Sequence, residues 1–241
     1  MPETIGRLKW DQDGTRKKGE GVDRGVLFVM DNGKYNNGVV WNGLTEIQLS
    51  PDGAEATDLW ADNMKYLTLY SAENFGYTIN AFYSPVEFDE CDGMAAPVAG
   101  VTLGQQSRKS FGFSYRSGIT NDSEGEDYGH IIHLIYNSKA KPSETTDSTK
   151  SDSPNSDALS WECSTTPVAV NRTDANGKEY KPTAHIKIDS TQVDSAKLKA
   201  FEDILYGTDA VDAVDGASSK PATASKLMSP GEVIDFFKAE G

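Results

Sequence analysis

The residues of this chain with chemistry to offer are three histidines, two cysteines and two runs of carboxylates. His130 and His133 stand as H-x-x-H, a spacing at which a helix could present both imidazoles to one metal ion. They sit beside and within Ile131-Ile132-His133-Leu134-Ile135-Tyr136, which reads as a strand, and on a strand an odd spacing sends the rings to opposite faces. The expectation is structural histidines, with His185 among them. Glu87, Asp89, Glu90 and Asp92 crowd one turn, and Asp122, Glu124, Glu126 and Asp127 crowd another. Either set has oxygens enough for Ca²⁺, yet neither follows the EF-hand pattern, and such runs are more often solvated loops. Cys91 and Cys163 have no framework spacing and read as buried free thiols.

Nucleophile and phosphate motifs are absent. Ser114 lies in Gly112-Phe113-Ser114-Tyr115-Arg116, which lacks the second glycine of a nucleophile elbow. Gly19-Glu20-Gly21 precedes a strand, whereas a dinucleotide fingerprint follows one and opens a helix. No Gly-Lys-Ser/Thr loop occurs. The expectation is a protein with no catalytic residue, no metal and no cofactor.

The elements that would position these side chains are mostly strands. Val26, Phe28 and Met30 alternate with Leu27 and Val29, so both faces of that strand are apolar. The 131–136 run is apolar on both sides too, as expected of a strand buried between layers. Tyr77, Ile79, Ala81 and Tyr83 share a face, as do Phe111, Phe113 and Tyr115, and as do Leu159, Trp161 and Cys163. Ala184, Ile186 and Ile188 alternate with His185 and Lys187. Turn signals at Asp31-Asn32-Gly33, Asn42-Gly43, Asp52-Gly53 and Asn176-Gly177 punctuate them. Two helices are expected. One is capped by Asp194, carries Leu198, Phe201 and Leu205 on one stripe and stops at Gly207. The other opens on the capping box Ser229-Pro230-Gly231-Glu232 and bears Val233, Ile234, Phe236 and Phe237. It either docks on its own domain or reaches a neighbour. The fold class is mainly β with flanking α, a β-sandwich or barrel with one packed helix and a C-terminal helix.

Composition narrows the partners. The 241 residues suffice for a real core, and no apolar run approaches the ~20 residues that span a bilayer. Met1-Pro2-Glu3-Thr4 has no signal-peptide pattern, so residence in a cytoplasm is expected. The net charge of -14 argues against a nucleic-acid binder, since binding duplex relies on Lys and Arg neutralising phosphates. The same charge suits a conduit along which DNA slides.

An ordered set of phrases carries a resemblance over about residues 20–208. It comprises Gly21-Val22-Asp23-Arg24-Gly25-Val26-Leu27-Phe28, Trp41-Asn42-Gly43-Leu44 and Ser50-Pro51-Asp52-Gly53-Ala54-Glu55. Trp60-Ala61-Asp62-Asn63-Met64-Lys65-Tyr66-Leu67 and Ser84-Pro85-Val86-Glu87-Phe88-Asp89-Glu90-Cys91-Asp92-Gly93 follow. The set ends with the stretch from Gly104 to Arg116, Asn121 to Gly129, Ile188-Asp189-Ser190-Thr191 and Leu205-Tyr206-Gly207-Thr208. In that order the chain resembles the major tail protein (tail tube protein) of long-tailed bacteriophages that infect Gram-positive bacteria. The resemblance implies a virion protein, made in the host cytoplasm, with six copies to a ring and rings stacked into a tube. Sheets would join edge to edge around the lumen. Tape-measure, terminator and baseplate or tail-tip proteins would be its partners, with no membrane. Genomic DNA would pass through without specific binding.

Under this reading residues 1–21 form an arm, 22–207 the β domain with a polar loop at 138–157, and 208–241 a linker and the C-terminal helix. The contact segments are the arm, loop 51–63, loop 138–157 and the last helix. The candidate interface residues are Arg16, Lys17, Lys18, Asp52, Glu55, Trp60, Ser143, Thr146, Phe236 and Phe237. A different class is also open: a β-sandwich carbohydrate-binding or adhesion module, with Trp41, Trp60 and Tyr70 as stacking platforms.

Overall fold

Alternation that is apolar on both sides predicts a sheet covered twice, and that is the arrangement found. The computed structural model describes residues 7, 9–71, 73–146, 149, 158–211 and 219–238. Its strands are β1 (Lys17–Asp31), β2 (Lys34–Tyr35), β3 (Val39–Trp41), β4 (Leu44–Gly53), β5 (Ala56–Ala61), β6 (Met64–Tyr70) and β7 (Glu73–Ala81). After a single 3-10 turn at Val86–Phe88 come β8 (Ala95–Val98), β9 (Val101–Leu103), β10 (Phe111–Asn121), β11 (Gly125–Ala140), β12 (Leu159–Thr165) and β13 (His185–Asp189). Helices α1 (Ser195–Tyr206) and α2 (Pro230–Lys238) complete the chain. The protein is mainly β with flanking α.

Nine strands form one antiparallel sheet in the order β2-β1-β10-β11-β12-β7-β4, with β13 also on β11 and β3 also on β1. The path closes. β3 pairs with β1 and β4 pairs with β7, and the two are one length of chain bent at Asn42-Gly43. Gly43 has φ 78°, a left-handed conformation that glycine adopts without strain.

Strands β1, β3, β7, β10, β11 and β12 send side chains inward, with Leu44, Ile47 and Leu49 of β4 packed against them. Leu27, Val29, Trp41, Tyr77, Ile79, Phe111, Phe113, Ile135 and Trp161 are buried together there. Phe88, from the 3-10 turn, plugs the interior, its ring 4.6 Å from Trp41, 5.4 Å from Trp161 and 5.5 Å from Phe111. The alternate side chains, Val26, Phe28, Ile132, Leu134, Tyr136 and Ile188, point outward into a second core roofed by α1 and α2.

Local chemistry explains both helices. Asp194 accepts hydrogen bonds from the Ala196 and Lys197 amides, and Gly207, at φ 81°, ends α1. At α2 the Ser229 N–H donates to Glu232 (2.7 Å) and the Glu232 N–H donates back to Ser229 Oγ (3.4 Å), a capping box. The Lys226 ammonium, 2.8 Å away, and the Ser229 amide hold the Glu232 carboxyl down at about 2. A polar cluster also ties α1 to the sheet: His130 lies 3.3 Å and Arg24 3.8 Å from Glu202, while Arg116 Nε donates to Asp23 at 2.8 Å.

Three expectations about segments change, and an alternative left open for α2 is resolved. Residues 17–21 are not arm: Lys17 to Glu20 pair with Gly118 to Asn121, because β10 runs on past the barrel and offers backbone partners. Of the polar loop, residues 138–140 belong to β11, where Ser138 accepts the Tyr77 hydroxyl hydrogen bond and Ala140 is buried. Residues 147–148 and 150–157 of that loop lie outside the described residues. The 208–228 segment is not a loose linker in its described parts. Thr208 bridges Thr223 and Val211 bridges Lys220, and Leu227 and Met228 are buried in the second core. Finally, α2 docks on its own chain, with Phe236 and Phe237 against Phe201 at 5.8 and 5.4 Å.

Phe201 thus holds both helices to the sheet. Phe201→Ala is expected to cost about 3–5 kcal/mol, read as a lower midpoint in chemical denaturation. A loss within 1 kcal/mol or so, as a freely adjusting surface site would give, would contradict the packing.

Candidate functional site

The residues with chemistry to offer are dispersed by the fold, with one exception. Ser114 is wholly buried on the second-core side, and its Oγ has no hydrogen-bond partner. Cys91 and Cys163 are free and buried, and burial pushes the Cys91 thiol up to about 12 and the Cys163 thiol higher still. The first carboxylate run is broken up by cations, with Asp92 2.7 Å from Arg108 and Glu90 2.7 Å from Lys109. The second flanks the β10–β11 turn, where Asp122 receives the Gly14 amide at 2.9 Å. Among the described residues no three His, Cys, Asp or Glu side chains stand together as a metal site.

The exception is a histidine pair that strand register assembles. β10–β11 pairing sets Tyr115 opposite His133, and β11–β13 pairing sets His133 opposite Lys187 and Ile135 opposite His185. His133 Nδ1 lies 3.0 Å from His185 Nε2, and its Nε2 lies 3.0 Å from Ser117 Oγ. The rings close a circuit of stacked aromatics: Phe75, Tyr77, Phe113, Tyr115, His133 and His185, with the last back on Phe75 at 4.7 Å. No local motif signals this, since 117, 133 and 185 meet only through register.

Ser117-His133-His185 has the connectivity of a nucleophile, a base and an orienting group. It lacks the base strength. Burial, then the His185 and Lys187 charges, press His133 down to about 3, and burial and Lys187 press His185 to about 4. A general base works best with a pKa near the operating pH. Neither Ser117 nor His133 lines any of the three described clefts.

What the surface offers instead is apolar area without a partner. Residues 51–63, expected as a loop, are the end of β4 and the first arm of a projecting β5–β6 hairpin, turned at Asp62 (φ 51°) and Asn63 (φ 58°). Such a two-residue turn with both φ positive is the tight-hairpin kind, and Asp62-Asn63 is a signal for it that the turn motifs read from the sequence did not include. Cross-strand partners share a face. Leu59 and Leu67, Leu69, and Ala61 with Met64 therefore make one face aliphatic; the four large side chains are 43–61% exposed. On the other face Asp58 binds Lys65 (2.8 Å) and accepts from Thr68 (2.7 Å), beside Trp60 and Tyr70, which are 69% and 73% exposed. A second, smaller hairpin, β8–β9, exposes Val98, Val101 and Leu103.

Sheet borders are open as well. Among the described residues, 17–23 of β1 pair only with β10 and β13 pairs only with β11, so β1-β10-β11-β13 ends in a one-sided strand at each border.

Of the ten interface candidates, Asp52, Glu55 and Trp60 fall on the hairpin or its root, where Ser71 brackets Glu55 through the Glu55 amide (3.0 Å) and carbonyl (3.1 Å). Ser143 and Thr146 lie on the irregular stretch after β11. The basic residues have partners within the chain: Arg16 with Asp122 at 3.6 Å, Lys17 over the Tyr128 ring at 4.6 Å, and Lys18 with Glu20. Phe236 and Phe237 are half-buried against the second core. Trp41, a stacking platform in the alternative reading, is 2% exposed and belongs to the core. No helix among the described residues is long and apolar enough to cross a membrane. Comparison of the chain with protein-family models and with curated proteins finds no match.

The histidines set a pH dependence. Their folded values lie below the ~6.5 of an unfolded histidine, so the unfolded chain takes up more protons as pH falls. The stability they contribute is complete above pH ~6.5 and declines toward pH 4. Between pH 6.5 and 5, above most carboxylates, the melting temperature should fall, and His185→Gln should flatten that fall. An equal slope in wild type and variant would contradict the assignment.

Proposed function

We propose that this chain is a structural protein that assembles with copies of itself into six-membered rings stacked as a phage tail tube, through which DNA passes unbound. The observation that carries this reading is the β5–β6 hairpin. A soluble monomer gains nothing from a projecting ribbon with four half-exposed aliphatic side chains on one face; such a patch marks a contact surface. The open borders of β1 and β13 support it, because unpaired strand borders are what monomers blunt and assemblies join. The net charge of -14 supports a bore that does not grip DNA. The family resemblance supplies the ring number and the tape-measure, terminator and tail-tip partners.

Magnitudes favour closure over simple pairing. Completing the burial of four half-exposed aliphatic side chains contributes about 3–6 kcal/mol. Bringing two proteins together costs about 4–15 kcal/mol in lost freedom. One hairpin contact is therefore marginal, whereas a ring gives each copy contacts on two sides.

A second reading has one observation in its favour. Trp60 and Tyr70 stand exposed on the polar face of the hairpin, as sugar-stacking platforms would. A lectin-like module would remain a small oligomer and bind glycans.

Charge sets the test. Six copies carry about -84 before counterions, and neighbouring rings repel within a Debye length of about 8 Å. Concentrated protein imaged by negative stain should form rings and tubes, faster with added salt or Mg²⁺. Material that stays monodisperse under every ionic condition, or that assembles more slowly at high salt, would refute the proposal.

A further inference from the structure

We propose that the groove at the root of the β5–β6 hairpin is the receptor for the aliphatic face of the same hairpin on a second copy. The inference rests on the self-assembly reading above and names the surface that completes it. The groove has a volume of about 900 Å³ and runs between the β4–β7 strand ends and residues 181–187. Leu49, Phe75 and Pro182 give it apolar lining, and His185, stacked on Phe75 at 4.7 Å, fixes that ring in place.

Charge complementarity selects the occupant. Lys181 and Lys187 line the groove against a single carboxylate, Glu73, so it is locally basic on a chain of net charge -14. The hairpin is the reverse: Asp58 and Lys65 pair with each other on its polar face, and Glu55 at its root and Asp62 at its turn leave it net negative. Its aliphatic face, Leu59, Met64, Leu67 and Leu69, offers the apolar surface that the lining of the groove would cover.

Geometry makes the partner another copy. Ala54 and Ser71, where the hairpin leaves the sheet, themselves line the groove. From the Ala56–Tyr70 pair near the root to the Ala61–Met64 pair at the tip the ribbon advances five residues, about 17 Å at 3.4 Å per residue. A paired ribbon cannot turn back on its own root. Donor and acceptor are thus different patches of one chain, a heterologous contact that continues from copy to copy until it closes or runs on as a stack.

Two variants with changes at exposed positions test this. Leu67→Asp with Leu69→Asp disables the hairpin; Lys181→Glu with Lys187→Glu disables the groove. Each alone should raise the concentration for half-assembly about tenfold or more in sedimentation velocity, a loss of ~1.4 kcal/mol. Circular dichroism should show both still folded. Mixed in equal amounts they should form a discrete two-copy species, because the groove variant's intact hairpin meets the hairpin variant's intact groove. Wild-type assembly with an unimpaired groove variant, or folded variants that stay apart on mixing, overturns this inference and leaves the self-assembly reading standing. A wild-type chain that never assembles overturns both.

Discussion

β1 and β11 divide their side chains between two cores, and the rest of the fold is arranged around that division. Leu27, Val29 and Phe113 face the inside of the closed sheet, while Val26, Phe28, Ile132 and Leu134 face outward and need a roof. The two helices supply it. α1 brings Leu198, Phe201 and Leu205; α2 brings Val233 and lays Phe236 and Phe237 against Phe201. A strand that is apolar on both sides cannot slip by one residue without sending large groups to the wrong core. That constraint fixes register along the whole sheet, and register in turn brings His133, His185 and Ser117 together. The stacked circuit through Phe75 then ties the hairpin root to β13.

Because the cores consume the helices and the barrel strands, the aliphatic face of the β5–β6 hairpin is left uncovered by the described residues. Its exposure is not a shortage of folding options, since β5 and β6 pair from Ala56–Tyr70 to Ala61–Met64 with one bulge, after Leu59. The ribbon is ordered, apolar on one side and charged on the other, and it projects. Those are the properties on which the proposed self-association rests. The strand borders at residues 17–23 and 185–189 add a second kind of unfinished bonding, through backbone rather than side chains.

Much of this was legible in the residues. The double-sided strands at 26–30 and 131–136, the Asp194 cap and the Ser229 capping box each carry a local pattern with one physical meaning, and each is where it was expected. The hairpin was hidden because residues 51–63 read as a loop, and nothing local says that 56–61 pairs with 64–70. Lys17 to Gly21 has no apolar alternation, so its strand character comes wholly from Gly118 to Asn121 across the sheet. Thr208 and Thr223 pair through backbone and hydroxyls, which composition does not reveal. Of the candidate contact residues, Asp52, Glu55 and Trp60 fall on or at the root of the projecting element. The basic trio and the two phenylalanines were read from exposed-looking sequence that finds its partners at home.

The central claim is that the hairpin serves association and not the fold of the single chain. Replacing residues 56–70 with a two-residue turn between Glu55 and Ser71, then comparing melting temperature and sedimentation with the full chain, tests it most directly. An unchanged melting temperature together with loss of all assemblies is the predicted result. Assemblies that persist, or a shortened chain that no longer folds, would contradict it.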